Sequence, residues 1–201
     1  NTGGELLSDQ EIRNCTIRLL NSDALTFIED CSQNPDYREV IKKIGDEKIR
    51  KKEDQELVLR FFALKNDIEH YKFPVAEYLT NYLEGITTQE KPFDYIKEKE
   101  IFDKTFKIIN LNLGDSAFSS ITKAKNIKND FVTYLFDGIS IAIANLVDRI
   151  AVDKKNVKIE EKVYDIKIGS ELQSYKTGTM SSLNKRIELF KEGVENVIDE
   201  R

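Results

Sequence analysis

The chain has 201 residues, of which 40% are hydrophobic and 33% are charged, and its net charge is −5. This length and balance are typical of one globular domain with enough apolar residues for a core. The acidic balance disfavours a protein that coats nucleic acid through bulk charge. The most apolar stretch, residues 131–147, is short and is interrupted by Asp137, so it predicts a buried helix and no membrane partner.

The amino-terminal residues, Asn-Thr-Gly-Gly-Glu, have neither the basic start nor the apolar run of a signal peptide, and the only Met is Met180. We therefore expect a cytoplasmic chain that is a piece of a longer protein. Cys15 and Cys31 both lie on apolar-patterned segments. Two reduced core thiols are favoured in a cytoplasmic protein, with a single disulfide as the alternative.

Apolar spacings of three and four residues predict helices from the start of the chain. Ser8 and Glu11 form a capping-box pattern. The helix that follows is expected to bury Ile12, Cys15, Thr16 and Leu19. A second helix begins after Ser22, and Asn34-Pro35 opens a third, which ends at Gly45.

Later helices are predicted from Asp54 to Ile68, from Pro74 to Gly85, from Glu90 to Asn110, from Asn129 to Ile150, from Asn156 to Tyr175, and from Gly178 to Val197. Residues 114–129 predict a loop. The helix from Asn129 is apolar on most of its circumference, which indicates a central position. No segment alternates as a strand does, so the sequence predicts an all-α bundle of about eight helices without a substantial sheet.

The sequence lacks the residue combinations that most catalytic sites require. There is one histidine, His70, for which a structural role at a helix end is expected. The sequence contains no zinc-binding or phosphate-loop motif. We therefore predict no catalytic residue, no metal site and no cofactor in this chain, and a stand-alone enzyme is the weakest hypothesis.

Two groups of residues are candidates for binding. Asn1, Thr2, Gly3 and Gly4 precede a capped helix, an arrangement that favours anions, and Gln10, Arg13 and Asn14 can point back across a cleft. The alternative is a glycine turn with a solvated helix face. Residues 42–52 contain six basic and two acidic residues, including Lys48, Arg50, Lys51 and Lys52. These four are candidate nucleic-acid contacts, with an ordinary solvated surface as the alternative.

Residues 1–15, Asn-Thr-Gly-Gly-Glu-Leu-Leu-Ser-Asp-Gln-Glu-Ile-Arg-Asn-Cys, resemble the end of the ParB-like domain in the GmrSD-type family of modification-dependent restriction systems. That family carries Asn-Thr-Gly-Gly followed by Gln-Glu-Ile-Arg-Asn at this point. Three later segments resemble the family's helices in the same order, namely residues 54–64, 71–79 and 178–187.

The resemblance implies that residues 1–15 are the tail of a missing ParB-like nucleotide-side domain with the first helix, and that residues 16–201 are a carboxy-terminal helical domain. It also implies that Asn1, Thr2, Gly3 and Gly4 border a nucleotide pocket that Gln10, Arg13 and Asn14 support. The family's Asp-Gly-Gln-Gln-Arg motif, which is linked to nucleoside triphosphate hydrolysis, does not occur in this chain. A nucleoside triphosphate is therefore expected only in the longer protein.

Two functional hypotheses follow. The first is the helical domain of a restriction or phage-defence protein, which supports an NTP-dependent, nucleic-acid-directed activity. Its partners would be the missing domain and DNA or a nuclease subunit. The second is a helical protein–protein interaction module without nucleic-acid contact, which the net charge of −5 favours.

Overall fold

The computed structural model describes residues 6–18 and 22–199. Within these ranges the chain forms eleven α-helices: α1 (Asp9–Arg18), α2 (Asp23–Ser32), α3 (Pro35–Ile41), α4 (Asp46–Arg50), α5 (Glu53–Asp67), α6 (Val75–Thr87), α7 (Tyr95–Leu113), α8 (Thr133–Ala144), α9 (Val157–Ile168), α10 (Ser170–Gln173) and α11 (Met180–Asp199). Short 3₁₀ turns occupy Lys42–Ile44, Ile68–His70 and Gly114–Ser116. The described residues contain no strand, only an isolated bridge between Ile121 and Ile127. The predicted all-α class is confirmed.

Predicted capping residues start several of the helices. The Ser8 amide donates to Glu11 Oε2 at 2.8 Å and the Glu11 amide donates to Ser8 Oγ at 3.2 Å, so the predicted capping box forms. Asn34 Oδ1 accepts from the amide of Tyr37 at 2.9 Å, and Pro35 takes the first position of α3, where an N–H is not needed. These local signals set the boundaries of the first helices.

α5 and α8 form the centre of the bundle. α8 packs against α5, α7 and α11, while α5 also contacts α1, α2, α4 and α6. Between α5 and α7 lie the rings of Phe61, Phe62, Phe102 and Phe106, whose centroids are 4.5 to 5.5 Å apart. Such spacing gives edge-to-face and tilted contacts that add to apolar burial. The central place predicted for the apolar stretch around α8 is confirmed.

Some predicted boundaries were wrong. Gly85 lies inside α6 instead of ending it. The stem of Lys91 packs against this glycine, and a Cβ there would be 2.8 Å from Lys91 Cδ. α7 begins at Tyr95, later than predicted, because Asp94 Oδ1 accepts from the amides of Ile96 and Lys97 at 3.1 Å each. The segment predicted as one helix from residue 156 is two helices, which meet at Gly169.

Both cysteines are free thiols. Cys31 is completely buried, as predicted, and burial raises the pKa of its thiol to about 12, which keeps it protonated and unreactive. Cys15 is exposed, so its predicted core position was wrong. None of the helices in the described ranges is both long and apolar enough to span a membrane.

An ion pair is buried between α5 and α8. Arg60 donates to both carboxylate oxygens of Asp137, at 2.5 Å from Nε and 2.7 Å from Nη2. Burial alone would lower the pKa of Arg60, but the charge of Asp137 and these hydrogen bonds outweigh it and raise the pKa. Arg186 of α11 is also buried and interacts electrostatically with Asp137. Arg186 donates to backbone carbonyls instead, and burial lowers its pKa despite the charge of Asp137. Asp137 is therefore the direct counter-charge of Arg60 alone.

We expect Asp137→Asn to lower the free energy of unfolding by about 3–5 kcal/mol, because it leaves the buried Arg60 without its counter-charge. Arg60→Met should cost a similar amount, because it leaves the buried carboxylate of Asp137 without its hydrogen-bonded partner. Equilibrium unfolding in urea at pH 7 measures both, with Glu100→Gln on the surface of α7 as the control. Losses no larger than that of the control would contradict a stabilising role for this pair.

Candidate functional site

The predicted residues Gln10, Arg13 and Asn14 lie on one face of α1, and that face is buried. Their exposed fractions are 1%, 4% and 7%. Gln10 Nε2 donates to Asn14 Oδ1 at 2.8 Å, and Arg13 Nη1 donates to Gln10 Oε1 at 2.5 Å. The structure therefore brings these three residues together in one hydrogen-bonded network, which we call the α1 network.

The α1 network is joined to α5 and α6 by residues that the sequence did not single out. Asn14 Nδ2 donates to Gln55 Oε1 at 2.7 Å. Arg13 donates to Glu56 Oε2 at 3.0 Å and, through Nε, to Thr80 Oγ1 at 3.1 Å. Arg13 Nη2 is buried and has no hydrogen-bond partner in the described part of the chain. Gln55, a polar residue directly before an apolar helical stripe, was the one available signal for a buried polar contact.

Apolar groups are exposed on the outward side of α1 and just before it. Leu6 and Leu7, which precede α1, and Ile12 within it are 91%, 58% and 51% exposed, and Cys15 and Thr16 are also exposed. The prediction that Ile12, Cys15 and Thr16 face the core was therefore wrong, while Leu19 lies outside the described residues. The polar face is turned inward because each of its side chains finds a hydrogen-bonding partner there. Exposed apolar groups close together mark a surface suited to a protein partner.

Asn1, Thr2, Gly3 and Gly4, the predicted edge of a nucleotide pocket, lie outside the described residues. The structure does not test their predicted role. It describes the start of α1 and the α1 network, which follow these residues in the sequence.

The predicted basic residues lie beside the start of α1. Ser8 Oγ donates to the carbonyl of Lys51 at 2.7 Å, which fixes the end of α4 against the first turn of α1. A groove of about 300 Å³ between them is lined by Leu6, Leu7, Glu11, Glu47, Arg50 and Lys51. The two candidate sites predicted from the sequence are therefore neighbours in space.

Part of the basic charge on α4 is neutralised. Lys48 pairs with Glu53 at 3.2 Å, and Lys51 lies 3.5 Å from Glu47. Arg50 and Lys52 are exposed, and neither forms a salt bridge with a described residue. Exposed salt bridges are weak, and a lysine in one can exchange its carboxylate partner for another anion. Among the described residues, this surface therefore has two cations without a salt bridge, Arg50 and Lys52, and two in weak ones, Lys48 and Lys51.

A second groove, of about 250 Å³, lies on the other side of α1 against α6. Its lining includes Ile12, Ala76 and Leu83 as apolar residues, Asp9, Glu77 and Glu84 as acidic ones, and Arg13. α1 therefore separates a groove in which three carboxylates outnumber Arg13 from a mixed, partly basic one. A phosphate group is better suited to the α4 side.

His70 follows α5 and is largely exposed, with Nδ1 2.6 Å from Asp67 Oδ1. Lys91 Nζ contacts the other oxygen, Asp67 Oδ2, at 2.9 Å. Asp67, the exposed Glu69 and His70 form a group of three side chains of the kinds that bind metal ions. Because both oxygens of Asp67 already have partners, the group is better suited to closing the end of α5 than to holding a metal ion.

Lys167 of α9 has a strongly altered pKa, a feature common at functional sites. Its ammonium group donates to the carbonyls of Ser116 and Ala117 at 2.9 and 2.7 Å. Burial, followed by the charge of Lys43, lowers its pKa to about 7. Lys167 lines neither of the two grooves beside α1, and both of its hydrogen bonds go to backbone. Its role is to hold the turn after α7 against α9.

No family model matches the chain, and neither a curated protein nor a solved structure matches it. The functional assignment therefore rests on the residues and contacts described above.

Lys167 should make stability depend on pH. Between pH 7 and about 10 the unfolded chain binds one more proton than the folded chain, so the free energy of unfolding rises with pH in this window. Compared with Lys167→Met, the wild-type chain should gain about 1 kcal/mol per pH unit. Urea unfolding at a series of pH values measures the difference, with Lys154→Met as an exposed control. A difference that does not change with pH would show that Lys167 stays charged when folded.

Proposed function

We propose that this chain is the helical part of a GmrSD-like restriction or phage-defence protein and supports an NTP-dependent, nucleic-acid-directed activity. The nucleotide chemistry lies mainly in a preceding ParB-like domain. The observation that carries the proposal is the reversed polarity of α1: Gln10, Arg13 and Asn14 are buried and hydrogen-bonded, while Leu6 and Ile12 face outward.

The segments that carry the family resemblance are in contact with one another. Asn14 and Arg13 bond to Gln55 and Glu56, in the second resembling segment. The Tyr71 hydroxyl, in the third segment, donates to the carbonyl of Gly178, in the fourth, at 3.1 Å. These contacts join the resembling segments within one helical domain, which the proposal requires.

The outward face of α1 is the docking surface for the ParB-like domain. Leu6, Leu7 and Ile12 supply apolar area next to the residues at which the family's nucleotide-side domain ends. The buried α1 network holds the helix rigidly from behind, so a nucleotide pocket completed at its amino-terminal end has a fixed wall. Nucleotide binding then acts on the position of α1 against α5 and α6.

A second candidate function is a protein–protein interaction module without nucleic-acid contact. The same exposed residues of α1 favour it, as do the acidic groove on the α6 side and the partial neutralisation of Lys48 and Lys51. In that case the partner covers α1, and the α4 cations remain in solvent.

We expect nucleotide hydrolysis by the longer protein and none by residues 1–201 alone. The gene upstream of Asn1 should encode Asp-Gly-Gln-Gln-Arg. In the longer protein, Arg13→Met should reduce hydrolysis at least about ten-fold, because it removes the Arg13–Glu56 salt bridge that fixes α1 against α5. Lys154→Met, a change just before α9, should not reduce it. Phosphate release measures the rates. An initiator codon directly before Asn1, or hydrolysis by this chain alone, would overturn the proposal.

We expect salt-dependent binding to duplex DNA through α4. Changing Lys48, Arg50, Lys51 and Lys52 to Gln should flatten the plot of log affinity against log salt by about two units, since two of the four cations are free to contact phosphates. The matched control carries four Gln changes, at Lys154, Lys155, Lys158 and Lys162, and has the same net charge. Equal slopes in both variants, or no binding by the wild-type chain, would favour the interaction module.

A further inference from the structure

Residues 172–187 contain three basic residues and no acidic one, in a chain with 36 acidic residues and a net charge of −5. They comprise the end of α10, the loop before α11 and the first two turns of α11. Arg186 is buried, so the stretch exposes two lysines and no carboxylate, and it lies away from the α4 cations in the sequence.

Hydrogen bonds from two side chains fix the backbone of the loop before α11. Arg186, which is 2% exposed, donates from Nη1 to the carbonyls of Tyr175 and Thr177, the latter at 2.9 Å. The Tyr71 hydroxyl donates to the next carbonyl along the chain, that of Gly178, at 3.1 Å. Backbone held at three carbonyls presents the intervening side chains in fixed positions.

An exposed aromatic ring lies beside this loop. Phe73 is 78% exposed, and its ring packs over Gly178, where a Cβ would be 3.6 Å from the nearest ring carbon. A groove of about 410 Å³ runs along it, lined by Tyr71, Lys72, Phe73, Gly178, Thr179 and Met180. None of these six is acidic. The ring is open to a planar ligand.

Three lysines lie on the segments that carry this groove: Lys72 lines it, Lys176 is in the loop just before Gly178, and Lys185 is in the second turn of α11. Lys176 lies over the ring of Tyr134 at 5.6 Å, and Lys185 lies over that of Tyr175 at 5.2 Å, so two of the ammonium groups rest on aromatic faces. Lys72 pairs with Glu77 at 2.6 Å, but both side chains are about half exposed and the pair exchanges easily. No acidic residue occupies the first turn of α11, so its positive end adds to the same field.

We propose that the surface formed by Lys72, Phe73, Tyr175, Lys176 and Lys185, the α11 entry surface, binds single-stranded nucleic acid. A base stacks on Phe73 and the flanking phosphates contact the lysines, the combination used by proteins that bind single strands. A duplex keeps its bases stacked inside and cannot use the exposed ring. The inference rests on the proposed nucleic-acid-directed function and names a second surface for it.

The test is fluorescence anisotropy with labelled oligothymidine of about 20 nucleotides, longer than one single-strand site. Phe73→Ser should weaken binding at least about five-fold, the lower end of one lost base stack. Ile96→Ser is the matched control, because Ile96 is an 84% exposed apolar residue on α7. Circular dichroism shows that each variant keeps its helices, which exposed positions permit.

The contributions of the three lysines and of the Phe73 ring can be measured separately. Changing Lys72, Lys176 and Lys185 to Gln should flatten the salt slope by about two units, at 0.7 per phosphate contact on single strands. An abasic strand of the same length should bind wild type and Phe73→Ser equally, because it has no base to stack. A Phe73→Ser loss that persists on the abasic strand would overturn the stacking role.

The outcomes separate this inference from the proposed function. If oligothymidine does not bind, or its binding responds to the α4 changes and not to those at the α11 entry surface, the inference falls. Duplex binding through α4 and hydrolysis by the longer protein would remain intact in that case. If wild type binds neither single strands nor duplex, the nucleic-acid part of both proposals fails.

Discussion

A line of buried or half-buried charges of alternating sign crosses the molecule, and the helix arrangement depends on it. Arg13 of α1 pairs with Glu56 of α5, and Arg60, one turn further along α5, pairs with Asp137 of α8. Arg186 of α11 completes the line through its electrostatic interaction with Asp137. Arg13, Arg60 and Asp137 are almost fully buried and need their partners, whereas Glu56 is 32% exposed. These directional contacts add to the apolar packing and favour one relative position of α1, α5 and α8.

The same line explains why α1 has its unusual orientation. A helix with Ile12 and Cys15 on one side would ordinarily bury them, since burying an aliphatic side chain is worth about 1.5–3 kcal/mol. Here Arg13 meets Glu56, and Asn14 meets Gln55, so the polar face is satisfied inside. Turning the helix over would leave Glu56 and Gln55 without partners. The apolar side is consequently available for another polypeptide surface, which is the basis of the proposed docking.

Local signals allowed much of the fold to be predicted from the sequence. The capping box at Ser8, the Asn34-Pro35 start and the apolar stretch around α8 involve neighbours along the chain, and all three form, although α8 spans Thr133–Ala144 and not the predicted 129–150. The face of α1 could not be predicted, because it depends on Gln55 and Thr80, far away in the sequence. Asp137 was noticed only as an interruption of an apolar run. A lone carboxylate inside such a run signals a buried cation, but its partner Arg60 lies in another helix, and spacing does not reveal it.

Two of the three proposed binding surfaces lie on helices that this charge line joins. Arg13 is behind the proposed docking surface of α1, and Arg186 holds the loop that presents Tyr175 and Lys176 at the α11 entry surface. Glu56 and Arg60 are four residues apart and lie on the same side of α5. The salt bridges to Arg13 and Asp137 therefore hold α1 and α8 against the same side of α5. Because α8 also packs against α11, α5 and α8 are the elements through which a partner docked on α1, as proposed, would act on the α11 entry surface.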